Sequence, residues 1–349
     1  MKKWFVLLIL IILLAIVFGW WAFKEKKPKF VTLMTHDSFA ASEELLSQLE
    51  KEFGFELKIL KSGDAGAALN QAILSKENPL ADVFFGVDNT FMSRALDADI
   101  FIPYTSPHLQ HIPESLKLDG SNRLLPVDYG DVCLNYDIAW FNQKGIRPPR
   151  GLADLIAPVY KSLTVIQNPA TSSPGLAFLF ATVGTYGQDG FLDYWEKLRH
   201  NDVYVTNGWS DAYYGKFTRA KGGTRPIVVS YASSPAAEIF YSEKKVQKAP
   251  TGAVLSKGSA YRQIEFVGIL RGTQKLDLAQ TLVDFMLSPA FQKEIPLHMW
   301  VFPANSQTPL PDLFREHAQQ SQEPVMLSPQ LIQAKRERWI EAWTERVLR

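Results

Sequence analysis

Five short, turn-like stretches stand far apart in the chain, and most of them include an aromatic residue or a carboxylate. They occupy residues 62–66, 171–175, 207–211, 230–235 and 298–300. Glycine, serine and proline let backbone amides approach a small molecule, while tryptophan and tyrosine provide rigid, flat surfaces. This combination indicates a ligand-binding cleft.

Familiar catalytic patterns are absent from the sequence. It contains no Gly-x-Ser-x-Gly elbow, no His-Glu-x-x-His pair and no Cys/His cluster with metal spacing. The single cysteine, Cys133, stands between Val132 and Leu134, which is typical of a buried thiol rather than a nucleophile. The sequence therefore predicts no catalytic residue, no metal site and no cofactor.

Two of the stretches are also typical of helix starts. Asp64 precedes an apolar helical pattern, so it caps that helix, faces a ligand, or does both. Ser172 and Ser173 precede Pro174, a residue favoured in the first helical turn. The free amides of such a turn suit a phosphate oxygen or a hydroxyl, but capping alone explains the same residues. Both interpretations stay open at this level.

The aromatic residues in these stretches also allow two interpretations. A single tryptophan usually packs in a core, but the polar turn residues around Trp209 and Trp300 favour rings that face a cleft. Tyr213 and Tyr214 are either one inward and one outward ring of a helix or a phenolate pair for ferric iron. The first interpretation is the more common one for adjacent tyrosines.

An apolar run of 20 residues, 4–23, opens the chain and is flanked by lysines on both sides. A helix of that length reaches roughly 30 Å, which matches the hydrocarbon core of a bilayer. A cleaved secretory signal is the alternative, but bulky residues at 19–23 argue against a cleavage site. We expect residues 1–23 to form a signal-anchor transmembrane helix, followed by a charged linker at 24–29.

The remaining chain is nearly neutral. The whole sequence has 37 basic and 36 acidic residues, and residues 1–23 contribute two of the lysines and no acid. A neutral body is poorly suited to bind nucleic acid, so we expect no nucleic-acid partner. With 349 residues and 46% hydrophobic content, the chain can form two cores of ordinary size.

Strand and helix patterns alternate along the body, which favours an α/β fold with largely parallel strands. Short apolar runs at 30–34, 56–60 and 82–87 predict strands, and residues 43–53 predict a helix that stops at Gly54. A proline- and glycine-flanked segment at 124–130 predicts a crossing between two lobes.

This pattern predicts the domain boundaries. Lobe 1 comprises residues 30–125 and about 260–327, and lobe 2 comprises about 126–259. Residues 328–349 predict an amphipathic C-terminal helix that packs on the body, with docking to a partner as the alternative.

Taken together, residues 35–40, 81–89, 126–130, 207–211, 230–236 and 285–292 resemble the thiamine-binding receptors of bacterial ABC importers. The resemblance runs in order over nearly the whole body. It implies a type II periplasmic-binding-protein fold, in which two α/β lobes are joined by crossing strands and close on a ligand.

The resemblance also implies a set of ligand-binding residues. Asp64 and Ala65 would lie near the aminopyrimidine ring of thiamine, and Trp209 and Trp300 would form aromatic walls. The polar contacts would come from Ser172, Ser173, Tyr231, Ser233 and Ser234. Two positions depart from tyrosines found in some relatives, namely His36, which we also place in the cleft, and Ala237.

These features predict a monomeric receptor on the outer face of the cytoplasmic membrane. It would bind thiamine or its phosphates and deliver them to an ABC permease with a cytoplasmic ATPase, with no enzymatic activity of its own. Three alternatives remain. The first is a ferric-iron receptor that uses Tyr213, Tyr214, Tyr231 or His36; the others are an enzyme that cleaves thiamine or phosphate esters and a polyamine receptor.

Overall fold

The computed structural model describes residues 29–242 and 246–349. The predicted anchor, residues 1–23, and residues 24–28 of the predicted linker lie outside the described residues. Within the described ranges, no helix combines the length and the apolar character needed to cross a bilayer.

The described residues form a sheet of 11 strands. The strands are β1 (Phe30–Thr35), β2 (Glu56–Lys61), β3 (Val83–Asp88), β4 (Phe101–Ile102), β5 (Leu125–Asp137), β6 (Thr164–Gln167), β7 (Tyr204–Thr206), β8 (Ile227–Tyr231), β9 (Thr251–Val254), β10 (Tyr261–Leu270) and β11 (Phe302–Pro303). Neighbours along the main path follow the order β2, β1, β3, β10, β5, β8, β6, β7. Each end of the sheet is parallel, whereas β5 and β10 in the middle run antiparallel to their neighbours.

The two long central strands connect the halves of the molecule. Residues 125–132 of β5 pair with β10, and residues 132–137 pair with β8 and β9. β10 in turn pairs with β3 and β4 on its other side. The 13 residues of β5 span roughly 40 Å, enough to belong to both lobes. The segment predicted as a crossing, 124–130, is largely the first half of this strand.

Helices pack against the sheet. They are α1 (Glu43–Phe53), α2 (Ala65–Leu74), α3 (Met92–Asp97), α4 (Ile138–Lys144), α5 (Ser173–His200), α6 (Ser234–Phe240), α7 (Leu276–Leu287), α8 (Pro289–Gln292), α9 (Ile295–His298), α10 (Asp312–His317) and α11 (Pro329–Val347). Short 3₁₀ turns occupy Pro107–His111, Glu114–Leu116, Leu152–Ile156 and Pro158–Tyr160, and a π-helical turn occupies Asp211–Lys216. α1 ends at Gly54 in the left-handed conformation, as its sequence predicts.

The longest helix is interrupted at Gly187. The periodicity predicts separate helices near 176–182 and 191–198, and α5 consists of two helical segments that meet at Gly187. Gly187 has φ 75° and ψ 168°, a non-helical conformation that residues with a Cβ rarely adopt. The glycine therefore separates the two predicted helices.

The C-terminal helix α11 packs against α5 through aromatic side chains. Trp343 is fully buried and meets Trp195 edge to face, with ring centroids 5.5 Å apart. Trp339 meets Phe180 in the same way at 5.7 Å. Edge-to-face pairs add to the stabilisation from apolar burial.

We predict that Trp343→Ala lowers the free energy of unfolding by about 3–5 kcal/mol, because it leaves a large cavity between α11 and α5. Denaturant unfolding measures this change. Arg338→Ala on the exposed face of the same helix is the control and should change the value by less than about 0.5 kcal/mol. Equal effects of both substitutions would contradict the assigned packing.

Candidate functional site

A cleft of about 1370 Å³ opens between the two halves of the sheet. Its walls come from the loop after β1, the start of α2, the start of α5, residues 207–214, the start of α6 and residues 298–301. Eight of the ten residues predicted as ligand contacts line it, namely His36, Asp64, Ala65, Ser173, Trp209, Tyr231, Ser234 and Trp300. The long-range fold therefore brings together stretches that are distant in sequence.

Asp64 connects the two sides of the cleft. Its Oδ1 accepts a hydrogen bond from the Ala65 amide at 2.8 Å, which caps α2. The same oxygen accepts from the Ser173 amide at 3.3 Å, and Oδ2 accepts from the Trp209 amide at 3.1 Å. Burial raises the pKa of Asp64, and these amides partly offset that effect by stabilising the carboxylate. Asp64 thus caps α2 and also lines the cleft, a combination that the sequence allowed.

The start of α5 is also bonded to the opposite side. The Ser173 hydroxyl donates to Asp88 Oδ2 at the end of β3. Burial raises the pKa of Asp88 to about 6, and the hydroxyls of Ser173 and Thr90 limit the shift. A helix N-terminus close to two carboxylates is electrostatically favourable. Ser173 is thus held by the protein at both its amide and its hydroxyl.

The remaining two predicted contacts, Ser172 and Ser233, do not line the cleft. Ser172 is fully buried, makes no side-chain cap, and its hydroxyl has no hydrogen-bond partner among the described residues. Ser233 donates its hydroxyl to the Trp300 carbonyl oxygen. The sequence pattern located these turns correctly but could not show which serine in each points towards the open space.

Trp209 presents a half-buried ring at the cleft. It stacks on Tyr213 with centroids 4.9 Å apart and an interplanar angle of 21°, and its Nε1 donates to Ser230 Oγ at 2.9 Å. Tyr214 meets it edge to face at 5.3 Å. Stacking and the hydrogen bond fix the indole without covering it completely.

Trp300 lines the cleft from the opposite part of the chain. Its φ is 59°, an uncommon value for a bulky residue, which costs on the order of 1–3 kcal/mol. Its ring packs against Phe240 at 5.3 Å and Tyr241 at 5.6 Å. The indole of Trp300, which follows α9, therefore contacts the end of α6.

Among the described residues, acidic side chains outnumber lysine and arginine side chains along the cleft. Five carboxylates line it, Asp37, Asp64, Asp211, Glu238 and Glu265, together with Lys61, Arg219 and the histidines His36 and His298. Arg219 is already 3.6 Å from Glu238. An excess of carboxylates beside aromatic faces favours a cationic, planar ligand.

His36 adds a titratable group beside Glu265. The two side chains approach to 3.5 Å, and both are largely buried. Burial disfavours the charged imidazole, but the Glu265 carboxylate outweighs it and raises the pKa of His36. Gly86 makes this position possible, because a Cβ there would lie 2.4 Å from His36 Cδ2.

The tyrosine pair considered for iron is engaged in other contacts. The Tyr213 hydroxyl donates to Glu238 Oε1 at 2.7 Å, and burial together with this carboxylate raises its pKa well above the usual value. A phenolate ligand is therefore disfavoured. Among residues 29–242 and 246–349, no group of three His, Cys, Asp or Glu side chains is placed to hold a metal ion.

The thiol of Cys133 is unsuited to nucleophilic chemistry. It is completely buried among Ala232 and Ala260, and burial raises its pKa far above the usual range. The burial of Cys133 agrees with the prediction made from its apolar neighbours in the sequence.

Sequence reasoning missed several cleft residues. Glu265 lies on an apolar strand and gave no turn signal, although a lone acid within a buried strand is itself unusual. Glu238 follows the predicted turn at 230–235 by about one helical turn, and Tyr241 follows it by about two. A helical projection of that segment would have placed them on the cleft side.

Comparison with known proteins agrees with this architecture. The profile of the bacterial extracellular solute-binding proteins matches residues 78–321. A thiamine-binding periplasmic protein of Salmonella typhimurium is 32% identical over 326 residues, which cover 91% of this chain and 94% of that protein.

Solved structures of binding proteins superpose on this chain. A periplasmic thiamin binding protein superposes with a TM-score of 0.80 at 29% identity, covering 93% of this chain and 98% of the other. Iron-bound HitA from Pseudomonas aeruginosa gives a TM-score of 0.72 at 17% identity, covering 91% and 99%. The second likeness shows the fold alone. The predicted α/β fold with two lobes is confirmed.

We predict that Asp64→Ala lowers the free energy of unfolding by about 2 kcal/mol or more, since it removes a helix cap and two bonds across the cleft. Chemical denaturation measures the loss. Asp64→Asn keeps an acceptor and a capping side chain, so its effect should be clearly smaller. An alanine variant as stable as the wild type would show that these bonds do not stabilise the folded protein.

Proposed function

The chain belongs to the family of bacterial extracellular solute-binding proteins, and from this premise we propose that it is the thiamine receptor of an ABC importer. The observation that carries the proposal is the cleft itself, which joins an exposed face of Trp209 to an excess of carboxylates. The related proteins of this family are binding proteins, and this chain is likewise a binding protein rather than an enzyme.

The chemistry of thiamine suits these groups. Its thiazolium ring carries a permanent positive charge, and its aminopyrimidine ring is neutral with donors and acceptors at the edge. Trp209 and Trp300 offer aromatic faces, and Glu265 offers a carboxylate at the floor of the cleft. Asp64, Tyr231 and Ser234 offer polar groups for the aminopyrimidine edge. For the phosphates of thiamine, Lys61 and Arg219 are cationic side chains among the described residues of the cleft.

Several contacts must act together to give tight binding. A cation over an aromatic face contributes about 0.5–2 kcal/mol, and a charge-assisted hydrogen bond about 1.5–3 kcal/mol. Nanomolar affinity needs about 12 kcal/mol after the ordering costs are met. Closure of two lobes around the ligand assembles these contacts at once and excludes water.

The proposal extends to the partners and the location of the protein. The loaded receptor would deliver its ligand as a monomer to a membrane permease with a cytoplasmic ATPase. The apolar run at residues 4–23 has the length of a membrane anchor, which supports a position on the outer face of the cytoplasmic membrane. The lobes are proposed to comprise residues 30–125 with about 260–327 and residues about 126–259.

Calorimetry with thiamine tests the proposal on the full chain in detergent. Trp209→Ala should weaken binding by about tenfold or more, because it removes an aromatic face from the cation. Trp140→Ala is the matched control, since Trp140 packs against Phe141 outside the cleft and should leave affinity unchanged.

The alternatives give different results. No heat with thiamine at high micromolar concentration, together with a coloured iron-loaded protein, would favour the ferric receptor. Turnover of thiamine or its phosphates by the purified chain would identify an enzyme. Tight binding of a linear polyamine in place of thiamine would identify a polyamine receptor.

The anchor has a separate test. We predict that the full chain stays in the membrane pellet after an alkaline carbonate wash, because a 20-residue apolar helix cannot leave the bilayer under those conditions. A variant without residues 1–23 is the control and should stay in the supernatant. Release of the full chain, or a mass that lacks the first residues, would contradict an uncleaved anchor.

A further inference from the structure

Three buried carboxylates lie side by side on the central strands beneath the cleft. In the antiparallel register, Glu265 on β10 is directly opposite Asp88 on β3 and Asp128 on β5. Residues directly opposite each other have Cβ atoms about 4.5–5.5 Å apart and share a face of the sheet. Asp88 and Asp128 are fully buried, and Glu265 reaches the cleft with 7% of its surface exposed.

The three carboxylates differ in their hydrogen-bond partners. Asp88 accepts hydrogen bonds from the hydroxyls and amides of its neighbours, including Ser173 and Thr90. Glu265 is close to His36 and to the Gln263 amide, at 3.5 and 3.4 Å. Asp128 differs, because neither of its oxygens has a hydrogen-bond partner among the described residues.

An unpartnered carboxylate next to another carboxylate is strongly unfavourable when both are ionised. A proton removes the repulsion between the two charges, and the protonated oxygen of Asp128 can donate to Glu265. Burial, and then the neighbouring Glu265 charge, raise the pKa of Asp128 well above its usual value. The free protein therefore carries this proton over a range of pH in which an exposed aspartate is ionised.

Other ionisable groups surround the row. They are His36 with Lys61 and Asp64 beside it, Tyr231 on β8, Tyr261 on β10, and Arg336 on α11 behind Asp88. Arg262 lies nearby but is paired with Asp131, at 3.0 Å between Nη2 and Oδ2. His36 and, within the row, Asp88 can also exchange a proton near neutral pH, so the experiment must separate both of them from Asp128.

We propose that Asp128 holds a proton against Glu265 in the free protein and that a cationic ligand in the cleft expels it. Glu265 and Asp128 are then determinants of specificity that select positive charge in the ligand and couple its binding to pH. The inference rests on the proposed function, because the thiazolium ring of thiamine is the cation considered.

The direction of the effect follows from linkage. A positive charge near Glu265 favours the ionised pair and so lowers the pKa of Asp128 in the complex. Between the bound and free values, binding releases up to about one proton, and the association constant rises by up to about tenfold per pH unit. Below this range the proton stays bound, and above it the proton is already lost, so the dependence on pH levels off at both ends.

Calorimetry in two buffers of different ionisation enthalpy counts the protons released by the full chain in detergent. The probes are thiamine and a neutral analogue in which carbon replaces the charged thiazolium nitrogen. Thiamine should release a proton across the stated range, whereas the neutral analogue should release much less. Equal release by both ligands would overturn the proposal, because it would come from lobe closure and not from ligand charge.

Substitutions identify the side chain that releases the proton. Asp128→Asn mimics the protonated acid and should abolish the release of a proton. Glu265→Gln should reduce the preference for thiamine over the neutral analogue by on the order of tenfold or more. His36→Gln and Asp88→Asn should each retain the proton release. Loss of release in one of them, with retention in Asp128→Asn, would move the assignment to that residue. Asp137→Asn, a buried carboxylate of β5 outside the cleft, is the matched control.

This design separates the two proposals. Failure of thiamine to bind the wild-type chain rejects the proposed function and the inference that rests on it. Thiamine binding without a difference in proton release between the charged and neutral ligands rejects the inference alone.

Discussion

The antiparallel pairing of β5 and β10 is the interaction on which the cleft depends. These strands belong to both halves of the sheet, so their register fixes the floor on which any ligand rests. The same register sets Glu265 opposite Asp128, within a nearly water-free layer. The strands that join the lobes therefore also concentrate negative charge where the lobes meet.

Carboxylates also accept the hydrogen bonds that cross the cleft. Asp64 accepts amides from Ser173 and Trp209, and Asp88 accepts the Ser173 hydroxyl, so the N-terminus of α5 is held by carboxylates from the other side. Close approach is possible because Gly66 has no side chain, and a Cβ there would lie 2.8 Å from the Thr171 carbonyl oxygen. The halves are linked by polar groups at their edges, which suits a cleft that opens and closes.

The described cleft residues combine aromatic rings with carboxylates. Its tyrosines stack or donate to carboxylates, as Tyr213 does to Glu238, and burial holds the phenol protonated. Trp209 is fixed by Tyr213 on one side and by the Ser230 hydroxyl at its nitrogen. A rigid aromatic surface beside several carboxylates suits the flat cation that we propose as the ligand.

The sequence by itself determined the elements and the places where they end. Apolar periodicity located most strands, Gly54 marked the end of α1, and Asp64 marked the start of α2, because these signals are local and depend on backbone geometry. The turn-like stretches also indicated which loops form the cleft. The tertiary structure decided which side chains in those loops face it, so that Ser173 lines the cleft while Ser172 is buried. It alone brought Glu265, Asp88 and Asp128 into one row, because strand register depends on pairing between residues more than a hundred positions apart.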